Sequence, residues 1–480
     1  MDCVSLELVA SLPGHEDRVW SVAWSPRGDL LASCSGDKTV RIWTRRFGAT
    51  GPPAAITGNS DVNHIQSTGS TNASGAQQWY CCAILDQCHS RTIRNIAWSP
   101  NGRALATASF DATVAIWELS GGVWEQVAEL EGHENEVKCV AWNPDGRLIA
   151  TCGRDRSVWI WESLPGREFE CVDVKQGHTQ DVKAVRWHPG GELLVSASYD
   201  DTIKLWNYDG DEWVCSQTLG GCGHTSTVWD VSWAPDGRRL ASCSDDLTIK
   251  LWESGAAGAG AGAEAGRSSA VSGDSGGHDG GDGGGGLVPS RPDLRCATTL
   301  SGYHQRTIFS LDWGPTGLIA SGDGDDCICV FGQGDPELAR VALRASEEEE
   351  KQVPVATTTT TVSWDDGAER PVVHQQQQGK VELKDQDMGG GAGDITDVDP
   401  DGGVRVKCPG SDAEVSALGG GGKERLNGLS LGQEGQSWGL WTRMVGAHDA
   451  DVNCVRWNPA HPRLLASCSD DKLVKLWRLR

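Results

Sequence analysis

The stretch Glu131–Glu162, EGHENEVKCVAWNPDGRLIATCGRDRSVWIWE, decides the fold. Within it, Thr151 to Trp161, TCGRDRSVWIW, reads as a strand, a tight turn and a second strand, with small residues and Val, Trp and Ile suited to a pleated, half-buried sheet. His133 stands nine residues before Trp142 and 22 before Asp155, and Trp161 follows that aspartate by six. Arg154, in the turn just before the aspartate, is the one residue that strand formation does not account for.

The same frame recurs. His15, His89, His133, His178, His224, His304 and His448 each precede a tryptophan by nine residues and an aspartate by 22, except for 21 in the sixth copy (Asp325) and 23 in the seventh (Asp471). A hydroxyl stands four residues before each aspartate and an aromatic six after it, always tryptophan except Phe331 in the sixth copy. A unit of this size buries its apolar faces only against neighbouring copies, so the repeats must stack. The frame resembles the WD40 repeat, and the fold class expected is all-β: a seven-bladed WD40 β-propeller spanning 1–480.

That resemblance implies a hydrogen-bonded polar chain within each blade: His15, Ser33, Asp37 and Trp43 in the first, and His133, Thr151, Asp155 and Trp161 in the third. Buried imidazole and carboxylate are costly unless partnered, and a satisfied chain fixes one strand register. Phe331 breaks the chain in blade six, which is therefore expected to be the least well pinned. The chain stops three residues after Trp477 while Leu6 to Ser11 supply an extra strand ahead of the first repeat. The N-terminal strand is therefore expected to complete the last blade and close the ring, covering edges that would otherwise pair with other chains.

Three insertions interrupt the frame, at 46–77 in blade one, 254–292 in blade five and 333–436 in blade six. The second is Gly-rich, and the third is acidic and carries EEEE, TTTTT and QQQQ, so neither buries enough apolar surface to offset chain entropy and both are expected to be disordered. All three fall between third and fourth strands and so share one face of the disc. The face bearing the histidine and aspartate turns is left clear.

Composition excludes several functions. A net charge of −24 opposes nonspecific nucleic-acid binding, and no run of 18 apolar residues is available to cross a membrane. The beginning MDCVSLELVASL lacks a basic leader and an apolar core, so a cytoplasmic location is expected, with the nucleus also open. Among 17 cysteines there is no Cys-x-x-Cys pair, and Cys34, Cys152, Cys243 and Cys468 recur three residues before an aspartate, as buried small hydrophobes would. Neither G-x-S-x-G nor H-E-x-x-H occurs, and Gly281, Gly283 and Gly286 match a dinucleotide-binding pattern only inside a glycine tract with no strand before it. No enzyme activity, catalytic residue, metal or cofactor is expected.

What remains is surface. Residues three and five after each histidine, and the residue before each aspartate, are expected on the clear face by strand alternation. Blades two to four place Arg94, Lys138, Arg154 and Lys183 there, with Phe110 and Tyr199, a mixture typical of protein interfaces. Alternatively these charges pair with Glu136 and Asp181 as an ordinary solvated rim. Trp20, Trp229 and Phe309 form either a second apolar contact area or a plug of the channel mouth.

Positions outside the frame carry a closer resemblance. Glu131–Glu162, HSRTIRNIAWSPNGRALATASFDATVAIWE and HTQDVKAVRWHPGGELLVSASYDDTIKLW are similar to the WD40 subunit of the cytosolic iron-sulfur protein assembly machinery, down to HENEV, SFDAT, SYDDT and RDRSVWIW. The resemblance implies a scaffold in a targeting complex with a HEAT-repeat scaffold subunit and a small acidic adaptor. Such a scaffold links a hydrogenase-like iron-sulfur carrier to recipient apoproteins. An arginine on the top face of blade three is a functional position of that family, and Arg154 matches it. Animal members end blade four with Leu-Tyr-Arg, thought to recruit a cochaperone, where this chain has Leu205–Asn207, Leu-Trp-Asn. The alternative function is a generic WD40 adaptor in signalling or ubiquitin ligation.

Overall fold

The computed structural model describes residues 4–46, 78–221, 223–254, 293–334, 362–363, 372–373 and 437–480. The chain divides into two units, Met1–Ala345 with Leu431–Arg480, and Ser346–Ser430. In the second, the described residues pair Val362–Ser363 antiparallel with Val372–Val373. The expectation of disorder in the Gly-rich and acidic insertions falls almost wholly on residues outside those described.

The first unit is the propeller. Seven four-stranded antiparallel sheets follow one another, blade three being Val137–Trp142, Leu148–Gly153, Ser157–Leu164 and Glu168–Gln176 from inside to outside. Each innermost strand packs against the next, and that of blade seven, Val452–Trp457, returns to that of blade one, Val19–Trp24. The ring closes as the termini lead one to expect. Leu6–Leu12 pairs antiparallel with Val474–Leu479 as the outer strand of blade seven, Leu6 opposite Leu479 and Leu12 opposite Val474. Third strands end at Arg46, Ser254 and Gln333 in blades one, five and six, and their fourth strands begin at Gln78, Leu294 and Trp438.

The core lies between blades. Val182 and Val185 of blade four pack on Ala150, Cys152 and Ile160 of blade three, all fully covered. Each such valine or isoleucine contributes about 1.5–3 kcal/mol by leaving water. Three of the seven frame tryptophans at the ends of the inner strands add directed links. Trp98 donates its indole N–H to the Ala23 carbonyl at 3.0 Å and Trp187 to that of Ala141 at 3.1 Å, each reaching the preceding blade. Trp24 donates to the Arg456 carbonyl at 3.0 Å, carrying the same link across the closure.

The polar chain forms as the repeat implies. In blade three His133 meets Thr151 Oγ1 through Nε2 at 2.8 Å and Asp155 through Nδ1 at 2.6 Å, and Trp161 donates to Thr151 at 3.0 Å. In blade one His15, Ser33, Asp37 and Trp43 repeat it at 2.8–2.9 Å.

Blade six departs from the reading of its spacing. His304 Nδ1 bonds Asp323, not Asp325, at 2.6 Å, and its Nε2 meets Ser321 at 3.1 Å. Asp323 holds the place taken by a serine in five other blades and by Gly153 in blade three. Its longer side chain reaches the imidazole, while its other oxygen accepts the Asp325 and Cys327 amides at 2.9 and 3.0 Å. Among the described residues the Asp325 carboxylate accepts only the Gln305 amide, at 3.1 Å. Phe331 is fully buried against Tyr303, so the blade exchanges an indole donor for apolar packing and keeps both imidazole nitrogens partnered.

Candidate functional site

A one-residue irregularity, repeated in every blade, builds the site. In blade three Val137 opposes Gly153 and Cys139 opposes Cys152, which leaves Lys138 without a partner in the ladder. The same skip isolates Trp20, Arg94, Lys183, Trp229, Phe309 and Asn453. Such a bulge bends the strand and re-aims the extra side chain. Seven bulges at one level therefore present seven side chains around the mouth of the central channel.

The aspartate turns add a second tier. The Arg154 amide donates to the Glu136 carbonyl at 2.9 Å, as do Phe110 to Thr92 and Tyr199 to Asp181 at the same distance. Arg156, just past the aspartate, is left-handed (φ 68°), the tight reversal that sets Arg154 at the outer rim.

Cations and aromatics alternate around this mouth. The Arg94 guanidinium lies 4.8 Å from the Trp20 ring and Lys138 Nζ 4.0 Å from that of Phe110. Lys183 Nζ lies 5.0 Å from both Tyr199 and Trp229, and Trp229 meets Phe309 edge-on at 5.2 Å. The basic patch and the apolar area considered separately in the sequence are thus one continuous surface. Trp20 carries Arg94, Phe110 carries Lys138, and Tyr199 and Trp229 flank Lys183.

Glu136 ties several of these charges together. It accepts Lys138 at 2.5 Å and Arg91 at 2.9 Å, and the Arg154 guanidinium lies 3.7 Å away. Burial raises its carboxyl pKa, but the hydrogen bonds and charges of Lys138 and Arg91 outweigh that and hold it below the ordinary range. Burial depresses Lys138 and Lys183 more than Glu136 and Asp181 restore them, and the neighbouring cations add to the depression. Lys183 sits 3.6 Å from Asp181. The pairing alternative is therefore realised for Lys138, Lys183 and, at 3.7 Å, Arg154, whereas Arg94 makes no ion pair among the described residues. Arg154 leaves 56 % of its side chain exposed.

Sequence reading missed Arg91 and an ionic cluster deeper in the channel. Asp230, buried, accepts Arg186 from blade four at 2.9 Å and Arg456 from blade seven at 3.0 Å. Burial raises its pKa, and the two guanidinium groups bring it below normal. A signal existed: eight residues after the histidine stand Ala23, Ala97 and Ala141 in blades one to three, but Arg186, Asp312 and Arg456 in blades four, six and seven. Burial holds Asp312 up, at about 6. In blade four Leu205 and Trp206 are buried, Trp206 as the indole donor to Ser196 at 2.9 Å. Among the described residues no group of three or more His, Cys, Asp or Glu side chains is placed to hold a metal ion.

Comparison with known proteins agrees with this architecture. The family model for the WD domain, G-beta repeat, matches residues 6–44, 79–118, 124–162, 169–207, 213–253 and 441–478. The copy without a match is the sixth, where Phe331 and the displaced aspartate stand. Over the full length of both chains this one is 55 % identical to a probable cytosolic iron-sulfur protein assembly protein CIAO1 homolog of Chlamydomonas reinhardtii. It is 41 % identical to Protein CIA1 of Arabidopsis thaliana over 27 % of this chain and 31 % of that protein. A probable cytosolic iron-sulfur protein assembly protein 1 of Mycosarcoma maydis is 40 % identical over 28 % of this chain and 32 % of its own. With seven WD40 blades and a full-length relative of this identity, the chain belongs to the WD40 family of cytosolic iron-sulfur protein assembly proteins.

Proposed function

We propose that the protein is a non-catalytic scaffold of a cytosolic iron-sulfur targeting complex, helping to pass clusters from a carrier to cytosolic and nuclear apoproteins. The names of its relatives support the assembly role. The partners are a HEAT-repeat scaffold subunit, a small acidic adaptor, a hydrogenase-like iron-sulfur carrier and recipient apoproteins, and the cluster is cargo.

One observation carries the mechanism. On a chain of net charge −24, Arg94, Lys138 and Lys183 converge at one channel mouth, flanked by Trp20, Phe110, Tyr199, Trp229 and Phe309. An acidic or aromatic segment of a partner would meet charge and ring faces together, which favours both steering and residence. Arg154, exposed at the rim beside Glu136, is its outer anchor.

Affinity purification of the tagged chain from its own cells tests this reading. Recovery of iron-sulfur assembly factors, with no stoichiometric iron on the chain alone, supports it. Recovery of signalling or ubiquitin-ligase components in their place overturns it.

A further inference from the structure

Two blades place cysteines face to face. Cys139 and Cys152 are direct partners across the inner hairpin of blade three, and Cys454 and Cys468 hold the equivalent places in blade seven. In the other five blades at least one of the two positions is not cysteine. Opposed residues of an antiparallel ladder have Cα atoms about 4.5–5.5 Å apart, inside the span of about 4.4–6.8 Å that a disulfide bridges.

Blade three has a further feature. Arg186 Nη1 donates to Cys139 Sγ at 3.1 Å while its Nη2 is held by Asp230 at 2.9 Å. Cys139 and Cys152 are themselves buried, at 2 % and 0 % exposed, and the Arg186 side chain that touches the Cys139 sulfur is 23 % exposed. The neighbouring Cys152 thiol and, behind it, the Arg186 charge outweigh the burial that raises Cys139 and bring its pKa down, whereas burial and the Cys139 charge push Cys152 up. Only Cys139 touches the arginine, which fixes it as the nucleophile and Cys152 as the resolving thiol.

We propose that Cys139 and Cys152 are an oxidative modification site, converted by hydrogen peroxide to a disulfide across the inner hairpin of blade three. The Cys139 thiolate attacks one peroxide oxygen, an S–O bond forms, the O–O bond breaks, and hydroxide leaves and takes up a proton. Cys152 then attacks the sulfenic sulfur, the S–S bond forms, the S–O bond breaks, and its proton leaves with the oxygen as water. The two sulfurs lose two electrons to peroxide. The product lies beneath the cation cluster, because Cys139 follows Lys138 and Cys152 precedes Arg154 by two residues.

The test uses the folded full-length chain, treated with hydrogen peroxide, denatured in an alkylating agent and digested without reduction. The expected product is the peptide pair joined through Cys139 and Cys152, two hydrogens lighter than the thiols. Cys152→Ala should instead leave Cys139 as a sulfenic acid trapped by dimedone. Arg186→Lys, which keeps a charge toward Asp230, should slow the native reaction several-fold. The proposal is overturned if Cys139 and Cys152 stay fully alkylatable while the exposed Cys171 and Cys215 oxidise. It is equally overturned if the linkage forms as readily in chains unfolded during oxidation. These outcomes do not depend on which partners the channel mouth binds.

Discussion

Glu136 holds Arg154 twice, accepting its amide on the backbone carbonyl at 2.9 Å and standing 3.7 Å from its guanidinium with the side-chain carboxylate. The same carboxylate is occupied by Lys138 and Arg91. Glu136 therefore neutralises, within the chain, the cations to which the proposed docking assigns an acidic partner.

Replacing it should separate folding from recognition. Glu136→Gln keeps the backbone link but removes the charge that Lys138 and Arg91 share, so stability should fall by about 1.5–3 kcal/mol, the worth of hydrogen bonds to a charged group. Capture of an acidic partner segment should strengthen at low salt, because the freed cations have no internal competitor. Thermal unfolding beside a salt series of binding measurements checks both.

The blade chains set an acid limit. Burial raises Asp37, Asp111, Asp200 and Asp246, but hydrogen bonds from the histidines and neighbouring groups outweigh it and hold all four well below the carboxylate range. Burial lowers His15, His224 and His448 more than their aspartates raise them. In both cases the unfolded chain binds more protons, so the stability is complete above the unfolded values and is lost as pH falls. Tm should decline gently below about pH 6.5 and steeply below about pH 4, the unfolded histidine and aspartate values. A Tm constant from pH 7 to 3.5 would contradict this.

Blade six offers a test by comparison of neighbours. Asp323→Ala strips His304 and two amides of their acceptor in a fully buried site, costing at least about 1–3 kcal/mol for unsatisfied groups. Asp325→Ala removes one exposed bond and should cost about 0.5–1.5 kcal/mol. Chemical denaturation of the two variants measures the difference, and equal costs would contradict the assignment.

This blade also marks what the sequence made legible. Histidine, hydroxyl, aspartate and tryptophan recur at fixed intervals, so spacing reveals seven copies; the resemblance to the WD40 repeat makes them blades, and the extra strand at Leu6 to Ser11 points to their closure. The bulge does not show, because it adds one residue at the same place in every copy and leaves every interval unchanged. Asp323 is hidden for a related reason: a carboxylate two residues early reaches the same imidazole through a longer side chain. Arg91 acts across a blade boundary, where intervals within one repeat carry no information, whereas Arg186 and Arg456 show only as departures from the alanine that stands eight residues after the histidine in blades one to three.

The closing strand should be indispensable. A chain beginning after Leu12 would leave Val474–Leu479 as an unpaired edge and uncover Leu464 and Leu476, which are buried. We expect concentration-dependent association on size-exclusion chromatography, as exposed edges pair with one another.

The most direct test of the docking account is quantitative affinity capture from cells expressing wild-type chain or Arg154→Glu. Arg154 is half exposed and weakly paired, so its reversal should cost the fold no more than about 1 kcal/mol. The account predicts at least a tenfold loss of co-purified iron-sulfur carrier, adaptor or recipient proteins at nearly unchanged Tm. Full recovery of all of them by the folded variant would contradict it.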